Sequence, residues 1–176
     1  MPDPNVLPAA SNNSIAPVEQ KPTEATDPAI EALKLSAVAR MAAYVLKKKH
    51  PGIIFTSGRR DRAAQAHAMA ANVVLNRKWI RETYLPSPAC LQCQDWLDRN
   101  PEKITREEIA GGLDGVLAAL SDADLARFSK HLSGDAFDVQ PVKADADEIK
   151  QTLNSLPGKS KFLEREGGLL RWHVQF

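Results

Sequence analysis

Apolar residues recur at helical spacing between residues 29 and 49, at Ile30, Leu33, Val38, Met41, Tyr44 and Val45. This predicts a packing helix entered through Asp27-Pro28 and stopped by Pro51-Gly52. Its end, Lys47-Lys48-Lys49-His50, suits the negative pole of a helix dipole and reads as a solvated cap. Ile53-Ile54-Phe55-Thr56 then reads as a short strand, with Ser57-Gly58-Arg59-Arg60 as its exit. A long Ala-rich helix is expected from Asp61 to Tyr84, with Ala64, Ala68, Ala71, Val74 and Leu75 as its packing face and His67 structural or solvated. Pro86-Ser87-Pro88 resets the chain before a helix containing Leu91, Trp96 and Leu97. Thr105 with Glu108, and Ser121 with Asp124, have the spacing that caps two further short helices.

Late in the chain the period changes from helical to two. In Asp135-Ala136-Phe137-Asp138-Val139-Gln140, Phe137 and Val139 face one way while Ala136, Asp138 and Gln140 face the other. In the final segment Leu170, Trp172, Val174 and Phe176 fall on one face, and Arg171, His173 and Gln175 on the opposite one. Between them lie a helix expected over residues 145–153, ended by Pro157-Gly158, and a strand around Phe162-Leu163 that turns at Gly167-Gly168. Helices first and strands late make an α+β domain, with a small antiparallel sheet carrying the polar positions.

The chain has 176 residues, enough for one substantial core over residues 29–176. Residues 1–28 hold Pro2, Pro4, Pro8, Pro17, Pro22 and Pro28 among polar and small residues and read as a flexible leader. Lys plus Arg number 23 against 22 Asp plus Glu, so the formal charge of +1 gives nucleic acid no electrostatic footing. No signal-type start and no membrane-spanning apolar run is apparent, so the protein is expected to be soluble, without stable membrane insertion. Cys90 and Cys93 are the only cysteines. Half of a thiolate metal site, a local disulfide and incidental thiols are all open readings of that pair.

The two alternating strands place Asp138 and His173 on polar faces, and His131 precedes Asp138 by seven residues. Two imidazoles and one carboxylate form a zinc ligand set with an open fourth position, as catalysis needs. Ser129, His131, Gly134, Ala136 and Asp138 fill the fixed positions of a Ser-x-His-x-x-Gly-x-Ala-x-Asp signature. In this the chain resembles the D-alanyl-D-alanine carboxypeptidases and endolysin peptidases, the M15-like zinc peptidases of the hedgehog/DD-peptidase fold. His173, in Trp172-His173, looks like the third zinc ligand of that family. Ser57-Gly58-Arg59-Arg60, followed by Gln65, resembles its upstream Ser-Gly-x-Arg element, which makes Arg60 rather than Arg59 the substrate-binding arginine. The resemblance covers residues 30–176, weakly through 85–128. It implies one zinc ion and cleavage of the stem peptide of bacterial peptidoglycan.

Many members of the family place a Glu three residues before the last histidine, where this chain has Leu170, expected in the core. A hedgehog-like histidine two residues before the ligand is replaced by Arg171. The remaining carboxylates are Glu166 and Glu164, and Glu166, brought back by Gly167-Gly168, is the expected general base. Arg60, Gln65, Arg171 and Ser129 are the expected substrate contacts. The alternatives are an inactive zinc-containing peptidoglycan-binding module and a related zinc amidase. Action at the cell wall or in the periplasm would follow phage-type release or non-classical export, with a delivery or immunity protein as further partner.

Overall fold

The computed structural model describes residues 26–176. The expected leader thus lies outside the described residues except at its end, where Asp27 caps and Pro28 opens the first helix.

Helix α1 (Pro28–Glu31) is a single turn, and α2 (Ala37–Lys49) starts afresh after Ser36. The one helix expected over residues 29–49 is therefore two. Between them Lys34 adopts a left-handed φ of 52°, which ends the first helical phase, so the face set by Ile30 does not carry into α2. Ala39, Ala42, Ala43 and Leu46 are buried, while Val38, Met41 and Val45 of the predicted face are exposed. Strand β1 (Phe55–Ser57) comes next, and the expected helix to Tyr84 is again broken, into α3 (Arg62–Val73) and α4 (Trp79–Thr83). Asn76 makes the break by accepting from Lys78 N at 3.0 Å and donating to Glu82 Oε2 at 2.7 Å. The buried face of α3 is Gln65, Ala66, Met69, Ala70 and Val73, rotated from the expected stripe; Ala64, Val74 and Leu75 are exposed. His67 is exposed, in line with a solvated role.

Helices α5 (Pro88–Arg99), α6 (Arg106–Ala118) and α7 (Asp122–Phe128) complete a helical layer. Ser87, Thr105 and Ser121 each cap the next helix through a side-chain oxygen, and Thr105 with Glu108 forms the reciprocal capping box. Met69, Ile80, Leu97, Ile109, Leu113 and Leu117 form the core of this layer. Then come α8 (Lys130–Ser133), β2 (Ala136–Val139), α9 (Ala146–Asn154), β3 (Lys161–Glu166) and β4 (Leu169–Gln175).

The sheet is antiparallel in the order β1-β2-β4-β3. Phe137 and Val139 of β2, with Trp172 and Val174 of β4, pack beneath Ile30, Ala42, Ala43 and Leu46 and beneath Ile149 and Leu153 of α9. Those four strand residues are the apolar sides of the two alternations. Leu170, expected in the core, is 49% exposed: it keeps the side of Trp172 but lies beside the Gly167-Gly168 turn, beyond the cluster that buries Trp172 and Val174. The chain is α+β, and the opposite face of the sheet looks toward the helical layer α3–α7 across a cavity. Among the described residues, no helix is long and apolar enough to cross a membrane.

Cys90 and Cys93 are free thiols buried in the helical layer. Burial pushes the Cys93 thiol up to about 12, and Cys90 also rises because it is desolvated. Both should therefore be silent toward a thiol reagent at pH 8 in the folded protein and react promptly in denaturant. Fast reaction of either thiol at full native ellipticity would contradict this packing.

Candidate metal centre

The register of β2 against β4 puts Asp138 directly opposite His173, so the two side chains emerge side by side on the cavity face. His131 reaches the same point from α8. Gly134 ends α8 at a left-handed φ of 83°, and a Cβ there would stand 3.1 Å from both Lys34 O and Ser36 N. Glycine is thus required twice over, by conformation and by the close passage of the α1–α2 connection, whose Ser36 N donates to Gly134 O at 3.0 Å.

His131, Asp138 and His173 are all buried, and their ligand atoms lie within 4.8 Å of one another, a group that could hold a metal ion. His131 Nε2 is 3.3 Å from His173 Nδ1 and 3.4 Å from Asp138 Oδ1. Donors bound at about 2.0–2.2 Å around a tetrahedral ion are separated by roughly these distances. His173 Nδ1 donates to Asp138 Oδ1 at 2.7 Å, and this is the proton that a cation must displace.

The surrounding bonds orient the donors. His131 Nδ1 donates to the carbonyl of Gly58 at 2.7 Å, which turns the other ring nitrogen, Nε2, toward Asp138 and His173, where it can share a proton with the carboxylate or offer a lone pair to a cation. His173 Nε2 pairs with Gln175 Nε2 at 2.9 Å. Arg60 Nη2 donates to Asp138 Oδ2 at 2.9 Å. Burial alone would raise the Asp138 carboxyl, but hydrogen bonds from His131 and His173 and the charges of both outweigh it and hold the group far below the usual carboxylate range. For His173 burial would lower the pKa, but the bond to Asp138 and the charges of Glu166 and Asp138 raise it.

Each residue expected at the site lines this cavity. Arg60, not Arg59, turns inward; it holds Asp138 and donates through Nη1 to Gln65 Oε1 at 3.2 Å. Gln65 is buried, and its Nε2 donates to Tyr84 Oη at 2.8 Å. Ser129, also buried, joins α7 to α8. Arg171 is exposed at the rim and donates to Asn72 Oδ1 at 3.2 Å. Glu166 Oε1 lies 3.8 Å from His173 Nδ1. It faces the cavity because the β3–β4 register shifts between Leu163 and Arg165: Leu163 opposes His173 and Glu166 opposes Leu169. Unbroken alternation would have placed Glu166 on the face of Glu164, which instead pairs with Lys150 of α9 at 2.8 Å. Trp79 fixes Glu166 further, donating from Nε1 to its carbonyl at 3.2 Å.

Sequence reasoning missed Tyr84, Trp79 and Gln175. Gln175 was visible on the His173 face by alternation, whereas Trp79 and Tyr84 sat inside what read as one continuous helix and its end. No family model matches this chain, and neither the curated proteins nor the solved structures contain a significant match.

Because the His173 proton must leave for a metal to bind, affinity should be highest above the raised pKa of His173 and fall as pH drops through it. Isothermal titration with zinc should give one ion per chain at pH 8, weaker binding at pH 5, and none at comparable affinity in His131→Ala, Asp138→Ala or His173→Ala. Undiminished stoichiometric binding in all three variants would remove the site.

Proposed function

We propose that this chain is a zinc-dependent peptidase of the hedgehog/DD-peptidase type, cutting a peptide bond in the stem peptide of bacterial peptidoglycan. The observation that carries the reading is the convergence of His131, Asp138 and His173 in one buried group, with the Glu166 carboxylate 3.8 Å from His173 at the same cavity. His131 and Asp138 of the family-like signature are the ones that meet His173 there.

His131, Asp138 and His173 would hold the zinc, which when bound would supply a water of lowered pKa and a Lewis acid for the scissile carbonyl. Glu166 accepts the proton of the attacking water and returns it to the leaving amine. Its 16% exposed side chain is open to the cavity yet sheltered from bulk solvent. Arg60 pairs with Asp138 Oδ2 and orients it, and as a residue of the cavity lining it leaves its remaining donors for the substrate. Lys161 and Arg171 have no carboxylate partner among the described residues and line the same cavity, a rim suited to the carboxylates of a stem peptide.

The test is mass spectrometry of purified peptidoglycan incubated with the zinc-loaded protein. New stem-peptide termini should appear; release of intact stems from the sugar would indicate an amidase, and binding without products a binding module. Glu166→Gln should keep its zinc and lower the cleavage rate by roughly 10²- to 10⁴-fold. Glu164→Gln should cleave nearly as wild type, since Glu164 is engaged by Lys150 on the other face. A Glu166→Gln protein as active as wild type would take the base role from Glu166.

A further inference from the structure

The direction of every hydrogen bond along one side of the cavity is fixed from a single end. A guanidinium only donates, so Gln65 must present its carbonyl Oε1 to Arg60 Nη1, and the orientation of its amide is settled. Gln65 Nε2 then donates to Tyr84 Oη at 2.8 Å. The phenolic oxygen is therefore an acceptor toward Gln65, and its own proton must point elsewhere. Among the described residues, no acceptor for that proton lies within hydrogen-bond range, and Tyr84 lines the cavity that holds Glu166 and His173.

The ring cannot swing to relieve this. It is stacked on Phe128 with centroids 4.2 Å apart and meets Trp79 edge-on at 5.6 Å. Desolvation first, and then the charge of Glu166, push the phenol upward, so it stays protonated and remains a donor across the working pH range. A neutral, pinned donor at a partly desolvated spot matches an amide carbonyl better than a carboxylate, for which the cavity already offers lysine and arginine side chains.

We propose that the Tyr84 hydroxyl is a substrate-binding donor, aimed into the cavity by the relay Asp138–Arg60–Gln65–Tyr84 to meet a backbone carbonyl oxygen of the bound peptide. This rests on the peptidase reading for the identity of the peptide. The relay couples the donor to the metal-site carboxylate: the same guanidinium that holds Asp138 sets the direction of the hydroxyl. Gln65 then acts as a positioning residue behind Tyr84.

The experiment measures peptide binding and turnover separately. Tyr84→Phe removes only the hydroxyl and keeps the ring between Phe128 and Trp79. Introduced into the Glu166→Gln protein and titrated calorimetrically with a stem tetrapeptide, it should weaken binding by roughly 3- to 10-fold, the worth of one neutral hydrogen bond. Zinc content should stay at that of the parent, while the melting temperature should fall modestly because the buried Gln65 Nε2 loses its acceptor. In the otherwise wild-type enzyme the loss of kcat/KM should be carried by KM. Gln65→Leu, which frees the hydroxyl to rotate, should weaken binding in the same direction. Equal binding with and without the hydroxyl overturns the inference, as does a loss carried wholly by kcat. A protein that binds the peptide through Tyr84 but never cleaves it overturns the peptidase reading alone, and one that binds no peptide overturns both.

Discussion

A carboxylate placed beneath a sheet, 8% exposed, has to be matched on every side or it destabilises the fold by several kcal/mol. Asp138 is matched by donors from three separate parts of the chain. His173 comes from the directly opposed position on β4, Arg60 from the exit of β1, and His131 stands within 3.4 Å from α8. None of these can be supplied locally, so satisfying Asp138 requires the β1-β2-β4 order and the close passage of α8 over the strand. The requirement extends outward. Gly58 lends its carbonyl to His131, Gly134 admits the α1–α2 connection, and that connection is tied by hydrogen bonds from Ser36 to Gly134 and from Arg59 to Leu33. The polar centre thus ties the N-terminal helices to the C-terminal strands.

The second determinant is the one-residue register shift between β3 and β4. Toward the C-terminal end of β4 the pairing is regular, and Phe162 joins the apolar core while Leu163 stands against His173. Toward the turn the parity is reversed and Glu166 shares the cavity. The tight turn at Gly167 and Gly168, with φ of 51° and 79°, and the Trp79 bond to the Glu166 carbonyl hold that end in place. Trp79 belongs to the helical layer, so that layer both covers the cavity and positions its free carboxylate.

The late strands were readable from the chain because both obey strict alternation and each pairs an apolar face with a polar one. Asp138 and His173 emerged from that pattern alone, and the spacing to His131 completed the set. The helical part was less legible. Two breaks, at Lys34 and around Asn76, lie in segments whose composition favours continuous helix, and each break resets the phase of the next helix. This is why Val38, Met41 and Val45 were expected inside and are outside. The rotated face of α3 has a different origin: alanines lie on every side of this helix, so a stripe of them marks no face, and the buried side is the one that carries Met69 and Val73. The placement of Glu166 was hidden because a register shift changes the parity of β3 without leaving a mark in the pattern of apolar residues, whereas Leu170 keeps the side of Trp172 and is exposed because the core beneath the sheet does not reach the turn.

The most direct measurement is X-ray absorption at the zinc edge of the loaded full-length protein. The expected spectrum has a first shell of nitrogen and oxygen at about 2.0–2.2 Å, with outer-shell scattering from two imidazoles and no sulfur. A sulfur shell near ~2.3 Å would place the metal at Cys90 and Cys93 instead. That result, or the absence of imidazole scattering, would contradict the assignment of His131, Asp138 and His173 as the metal centre.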